Sequence, residues 1–226
     1  MKNLKIMFVA IFFAAFIINS NAQGVVIRGG VNFQNINGKN ALGDNLENNM
    51  IVGFNAGIMT EAPIAPQFFF QPGLLFSTKG AEREDVLLGQ TITSKVSLGY
   101  LEVPLNLLFK PMLGNGHLIL SVGPYVGFGL TGKGTWSAGG TETDYDVKYQ
   151  KSVEESDPID VYYFKRFDAG ANLAAGYEFA GGLSFQLNTQ LGLLDINPEY
   201  KVSSSSDKTK WNNTGFGISL GYRIGG

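Results

Sequence analysis

The chain has 226 residues, of which 44% are hydrophobic, and a formal net charge of -2. Without a basic stripe it gives no reason to expect a nucleic-acid-binding protein. Because it contains no cysteine, disulfides, thiolate metal sites and a lipid-modified cysteine are all excluded. Thirty glycines and 17 phenylalanines instead favour many strands joined by tight turns.

The N-terminus predicts a secretory signal peptide. Two lysines precede an apolar run at residues 6–18, and small residues follow this run up to Ala22. We expect cleavage after Ala22, so that residues 1–22 are the signal peptide and residues 23–226 are one mature domain. The apolar run is shorter than the roughly 20 residues that cross a bilayer as a helix, which leaves an uncleaved anchor as the weaker alternative.

Eight later segments alternate apolar and polar residues with the period of two that is typical of strands. In the stretch YLEVPLNLLFKP, leucine, valine and phenylalanine fall on one face, while Glu102 and Asn106 fall on the other. Pro104 and Pro124 remove backbone donors, so we expect bulges or irregular pairing there. The segments are residues 27–34, 52–58, 68–77, 100–110, 118–131, 166–179, 183–193 and 215–224.

Short and long connections alternate between these segments. This pattern predicts an all-β fold, an eight-stranded antiparallel transmembrane β-barrel with short periplasmic turns and long external loops. A closed barrel leaves no strand edge unpaired in hydrocarbon, where each unpaired backbone group costs several kcal/mol. The short connections are residues 61–66, 110–116 and 180–182, and the long ones are residues 35–49, 79–94, 132–163 and 195–213.

The alternative is a water-soluble exported barrel of lipocalin type, with its apolar face inward and its polar face in water. The polar faces of the last four segments are rich in glycine, serine and alanine. Small residues suit a crowded barrel interior, whereas the leucines and phenylalanines of the other face suit lipid. The membrane orientation is therefore the preferred interpretation.

The polar faces place a balanced set of charges in the barrel lumen. An eight-stranded barrel is just wide enough to be filled by side chains, so we expect a salt-bridged plug. A proton or solute path along the same polar residues is the alternative. We expect Arg28, Glu178 and Arg223 toward the periplasm, with Glu102 in the middle. The predicted lumen cluster is Arg28, Glu102, Arg166, Asp168, Glu178 and Arg223.

Nothing in the sequence forms a convincing catalytic or metal site. The single histidine, His117, falls in a predicted periplasmic turn away from loop carboxylates, so we expect no hydrolase chemistry and no enzyme. Carboxylates in residues 142–160 could bind calcium, but they lack the glycine-centred spacing of a specific site and are interpreted as a solvated loop. No cofactor is predicted. Trp136, Tyr145 and Tyr149 are candidates for a binding surface on the external loops.

The chain resembles the PorT-type outer-membrane β-barrel family. The motifs that carry the resemblance are FFFQPGLLFSTKG, YLEVPLNLLFKP, GPYVGFGL, FDAGANLAAGYEF and the closing ISLGYRI. The resemblance implies an outer-membrane barrel of about eight strands, often described as porin-like, and some members of the family are linked to type IX protein secretion. The chain departs from the usual terminal aromatic signal for insertion, so Tyr222 or Ile224 must serve.

The leading functional hypothesis is a non-enzymatic outer-membrane barrel whose external loops bind an envelope protein partner or support envelope integrity. A narrow channel for small solutes and a subunit of a secretion system are the alternatives. The expected partners are outer-membrane lipid and, during insertion, the barrel-assembly machinery, with no nucleic acid.

Overall fold

The computed structural model describes residues 24–87, 89–201 and 207–225. The predicted signal peptide lies outside the described residues. None of the described residues forms a helix long and apolar enough to cross a membrane. The strands are β1 (Gly24–Lys39), β2 (Ile51–Ala65), β3 (Phe68–Leu87), β4 (Gln90–Phe109), β5 (Met112–Leu113), β6 (Gly116–Ala138), β7 (Thr141–Tyr149), β8 (Ser152–Val153), β9 (Val161–Phe164), β10 (Phe167–Glu178), β11 (Leu183–Gly192), β12 (Glu199–Tyr200) and β13 (Lys210–Ile224).

Eight of these strands close into a ring in the order β1, β2, β3, β4, β6, β10, β11 and β13. Every neighbouring pair in the ring is antiparallel, and β13 returns to pair with β1 along their whole lengths. The eight-stranded antiparallel barrel predicted from the alternation is confirmed. Each of the eight predicted segments lies on one strand of the ring.

The barrel wall has an apolar outer face and a polar inner face. On β2, Val52 and Phe54 are 67% and 54% exposed, whereas Asn55, the residue after Phe54, faces the lumen and is 4% exposed. Every strand of the ring repeats this arrangement, with exposed leucine, isoleucine, valine or phenylalanine side chains pointing outward. This is the orientation of a barrel in lipid, and the water-soluble alternative is wrong because its faces would be reversed.

The prolines interrupt pairing without shifting it. Pro104 pairs with Tyr125, and the next pair between β4 and β6 is Leu107 with Val122, so the ladder has a gap but keeps its register. The register shift between these strands lies elsewhere, at Gly99 and Tyr100. The predicted irregular pairing at Pro104 is therefore present, but the bulge is displaced toward the outer end of the strand.

Several strands run well beyond the lipid-facing band on the side opposite the short turns. β3 and β4 have 20 residues each and β6 has 23, and β7 pairs with the upper part of β6. Two of the predicted long loops, residues 79–94 and 132–163, are therefore largely strand. Neither face of these segments meets lipid, so apolar and polar residues alternate less regularly along them. The sequence pattern therefore did not identify them as strands. We call this part the extracellular extension.

Two further contacts tie the extracellular extension together. β9 pairs in parallel with β7, and β8 pairs in parallel with β12. The upper part of β3 lacks a strand on its other side, because its ladder with β2 ends at Ser77 opposite Asn55 and only an isolated bridge joins Asn49 to Glu82 above that point. Among the described residues, the extension is therefore a folded structure in which the outer edge of β3 has no neighbouring strand.

Candidate functional site

The outer part of the lumen holds one cation between two carboxylates. Lys79 of β3 is completely buried, and its Nζ atom lies 2.6 Å from Glu102 Oε1 on β4 and 2.7 Å from Asp168 Oδ2 on β10. Three separate strands thus contribute charges that meet inside the barrel. We call Lys79, Glu102 and Asp168 the upper ionic layer.

Aromatic and amide groups complete the upper ionic layer. The Tyr125 hydroxyl and the Asn213 amide donate to Asp168 Oδ2 at 3.2 and 2.9 Å. The Lys79 ammonium also lies 4.2 Å from the centre of the Tyr125 ring, a cation–π distance. A buried charge is tolerated only when it is paired and hydrogen-bonded, and these contacts satisfy both conditions for Lys79.

A second set of charges closes the periplasmic end of the lumen. Lys110, which follows β4, places its Nζ atom 2.8 Å from Glu61 Oε2 and 2.7 Å from Glu178 Oε2. Arg223 approaches the other oxygen of Glu178 with its Nε atom at 3.1 Å, and Gln71 donates to Glu61 at 3.0 Å. We call Glu61, Lys110, Glu178 and Arg223 the lower ionic layer.

A small polar cavity of about 50 Å³ separates the two layers. Arg28 lines it, and its Nη2 atom donates to Asn188 Oδ1 at 2.7 Å and to Ser219 Oγ at 3.1 Å. A water molecule needs about 10–15 Å³, so the cavity has room for roughly three or four. Four buried polar atoms of its lining have no protein hydrogen-bond partner among the described residues, namely Arg28 Nε, Gln34 Oε1, Asn55 Oδ1 and Asn106 Oδ1.

The charges of the lumen balance. Arg28 and Glu102 line the same central cavity, so Arg28 is a second cation beside the upper ionic layer. The cations are Arg28, Lys79, Lys110 and Arg223, and the carboxylates are Glu61, Glu102, Asp168 and Glu178.

An apolar cluster lies above the upper ionic layer and fills the mouth of the barrel. We call it the apolar stopper. The Tyr149 ring lies directly over Gly129 and the Tyr162 ring over Gly134, at positions where any larger residue would collide with the ring. These glycines of β6 let aromatic side chains from β7 and β9 pack against the inner wall. The buried members of the stopper are Ile36, Ala81, Leu98, Tyr100, Phe164 and Ile196.

The structure brings five of the six predicted lumen residues inside the barrel. Glu178 and Arg223 lie together near the periplasmic end, as expected, whereas Arg28 lines the central cavity instead. The placement of Arg166 in the lumen is wrong. Arg166 is exposed, and its guanidinium carbon lies 5.3 Å from the centre of the Phe128 ring and 5.5 Å from that of Tyr149. It precedes β10, so the alternation of that strand does not control its direction.

Three charged lumen residues were missing from the predicted cluster. Lys79 and Glu61 were assigned to connections, and Lys110 to the boundary between the fourth segment and the turn after it. Each of the three continues the inward-facing alternation of a neighbouring strand. Counting two residues further along β3 from Ser77 would have placed Lys79 inside the barrel. The alternation of apolar and polar residues extends to all three positions, but the predicted strands end at or before them.

The predicted loop surface is partly packed against the barrel. Tyr149 donates its hydroxyl to the Thr131 carbonyl at 2.8 Å and contacts the apolar stopper, while Tyr145 meets Tyr162 edge-on at 5.8 Å between ring centres. Trp136 is half-buried on β6. His117 lies at the start of β6 opposite Glu178 and is half-buried, so it is a strand residue and not a residue of the preceding turn.

Two structures of Ail, the attachment invasion locus protein of Yersinia pestis, are similar to the chain. The one in complex with the heparin analogue sucrose octasulfate has 14% sequence identity and a TM-score of 0.39, covering 90% of this chain and 99% of that chain. The other has 12% identity and a TM-score of 0.37, covering 91% and 100%. No curated protein matches the sequence.

The family comparison is more specific. The model of the outer membrane protein beta-barrel domain matches residues 19–198, which include seven strands of the ring and end before β13. This range is well over half of the chain. The chain therefore belongs to the family of the outer membrane protein beta-barrel domain and is an outer-membrane barrel protein.

Proposed function

We propose that this protein is a non-enzymatic barrel with a closed lumen, and that its activity resides in the extracellular extension, which binds an envelope partner or supports envelope integrity. The observation that carries the proposal is the upper ionic layer beneath the apolar stopper. Lys79 is 0% exposed between two carboxylates, and Leu98 above it is also 0% exposed. An ion entering from outside would have to displace the apolar stopper and then the upper ionic layer.

Electrical recording from the purified protein in planar bilayers tests the closed lumen. We expect no reproducible conductance steps, because hydrated ions meet the apolar stopper and then two salt-bridged layers. Protein whose fold has been checked by heat-modifiable migration on a gel is the material to use. Steady, reproducible steps would contradict the proposal.

A narrow channel for small solutes is the second candidate. The central cavity supports it, because its unpartnered polar atoms could replace part of the hydration shell of a solute. On this alternative, the same recordings give conductance that changes when Glu102 is replaced by glutamine. A conductance that is the same with and without this substitution would argue against a path through the upper ionic layer.

Photo-crosslinking in cells tests the partner-binding part of the proposal. Ile159 lies in the connection between β8 and β9 and its side chain is fully exposed, so a photoreactive residue there samples whatever approaches the extension. We expect a discrete crosslinked protein from this position. The control position is Leu220 on the lipid face of β13, and the same set of adducts from both positions would contradict a specific partner.

Membership of the PorT type, and with it a role in a secretion system, is a narrower form of the same proposal. Its support is the motif YLEVPLNLLFKP, which contributes Glu102 to the upper ionic layer. A secretion subunit requires the extension to bind another component of the machinery. The crosslinked protein from position 159 would then be an envelope secretion component.

A further inference from the structure

A cleft lies at the rim of the barrel, where the lipid-facing band meets the extracellular extension. Its volume is about 430 Å³. We call it the interfacial cleft. Its lining includes the exposed apolar side chains Phe167 and Leu194 and the cationic side chains Lys151, Lys165 and Arg166.

The lower side of the interfacial cleft continues the lipid-facing surface. Phe167 is 56% exposed at the first position of β10. The backbone amides of Leu193 and Leu194 both donate to the Ala169 carbonyl, at 2.8 and 3.0 Å, which holds these exposed leucines beside β10. Below them, Leu191 and Leu187 carry the apolar face of β11 into the membrane. The exposed apolar surface of the barrel therefore continues up to the lower edge of the cleft.

The upper side of the interfacial cleft carries an excess of positive charge. Its one carboxylate, Asp195, is already occupied: Oδ2 lies 3.1 Å from Lys165 Nζ, and Oδ1 accepts the backbone amides of Trp211 and Asn197 at 2.8 and 3.0 Å. Lys151 and Arg166 form no salt bridge with any carboxylate in the part of the chain that the structure describes. Two uncompensated cations thus face the apolar surface.

Arg166 is held in place for a ligand by aromatic rings. Its guanidinium stacks near Phe128 and Tyr149, and its carbonyl accepts the Gly129 amide at 2.7 Å, so both its backbone and its side chain are fixed. A stacked guanidinium keeps its N–H donors free at the edge of the plane. The planar array of donors matches two oxygens of a phosphate group.

We infer that the interfacial cleft binds the phosphate-bearing headgroup of an outer-leaflet lipid. The phosphate contacts Arg166 and Lys151, while the acyl chains lie against Phe167 and Leu194. Free phosphate would use only the upper side of the cleft and would leave the apolar side in water, so the combination favours a lipid. The inference depends on the outer-membrane location and not on the closed lumen.

Titration of the purified barrel in detergent with diphosphoryl lipid A, followed by native mass spectrometry, tests the inference. Each cation near a phosphorylated surface contributes about fivefold to binding. We expect Arg166→Gln to weaken lipid A binding about fivefold, and Arg166→Gln combined with Lys151→Gln to weaken it about 25-fold. Dephosphorylated lipid A should bind the unmodified barrel no better than it binds the double variant.

Two further variants keep the test specific. Lys95→Gln removes an exposed lysine of β4 outside the cleft and should leave lipid A binding unchanged. Arg166→Lys keeps the charge but loses the planar pair of donors, so it should bind lipid A more tightly than Arg166→Gln and more weakly than the unmodified barrel. Wild-type binding by Arg166→Gln, or equal losses from Lys95→Gln and Arg166→Gln, would overturn the inference. Competition by inorganic phosphate alone at equal concentration would show an anion site without lipid selectivity and would also overturn it.

Discussion

Replacing Lys79 with methionine is expected to lower the free energy of unfolding by about 3–5 kcal/mol, because it leaves two carboxylates buried without their shared cation. Glu102 and Asp168 lie within 3 Å of the Lys79 ammonium and are themselves almost completely buried. Urea titration of the folded protein in detergent micelles, followed by gel mobility, measures the loss. Lys95→Met, which removes an exposed lysine, should change the midpoint very little.

A triple variant separates stranded charge from lost packing. Lys79→Met combined with Glu102→Gln and Asp168→Asn removes all three charges while keeping similar side-chain volumes. Replacing a whole buried ion pair is often close to neutral, so we expect the triple variant to recover most of the stability lost in Lys79→Met. If the triple variant were as unstable as the single one, the loss would arise from packing of the lysine stem and not from unpaired carboxylates.

Replacing Phe164 with alanine is expected to destabilise the extracellular extension by about 3–5 kcal/mol, the usual cost of removing a buried aromatic side chain. Phe164 is 3% exposed in the apolar stopper, and its ring lies 5.6 Å from that of Trp211. The loss should appear as faster hydrogen exchange of the amides of β7 and β9. Trypsin should then cut after Lys151 and Lys165, which flank β9.

The matched control for this variant is Ile159→Ala. Ile159 lies in the connection that precedes β9 and is fully exposed, so its truncation should change stability by less than about 0.5 kcal/mol. Exchange in the transmembrane part of β10 and β11 should stay slow in both variants, because their ladder remains intact. Equal acceleration of exchange in the extension and in the transmembrane strands would mean that the stopper and the barrel unfold as one unit.

The barrel itself could be predicted because lipid enforces alternation. A residue such as Phe54 must be apolar to face hydrocarbon, and its neighbour Asn55 must find partners in the lumen, so the sequence repeats with the period of the strand. Above the membrane this constraint ends. The upper parts of β3 and β4, with Glu82, Arg83 and Lys95, therefore read as loop although they continue the same hairpin.

The candidate site could be predicted only where a side chain lay on a recognised strand. Glu102 and Asp168 were found for that reason, but the cation that joins them was not, because Lys79 precedes a glycine and resembles the start of a turn. The prediction that Arg166 faces the lumen was wrong for a different reason. Arg166 was given the direction of the strand that begins after it, whereas its carbonyl bond to the Gly129 amide turns it toward the outer rim. Interactions between distant segments decide both cases.

The open edge of upper β3 has a consequence for crowding in the membrane. Backbone groups there have a neighbour on one side only, and such an edge invites hydrogen bonding to the same edge of a second molecule. Arg83, Glu84 and Asp85 occupy this stretch, and all three are exposed. Their charges and bound water must be displaced before two copies could join at this edge, which disfavours edge-to-edge association in a crowded membrane.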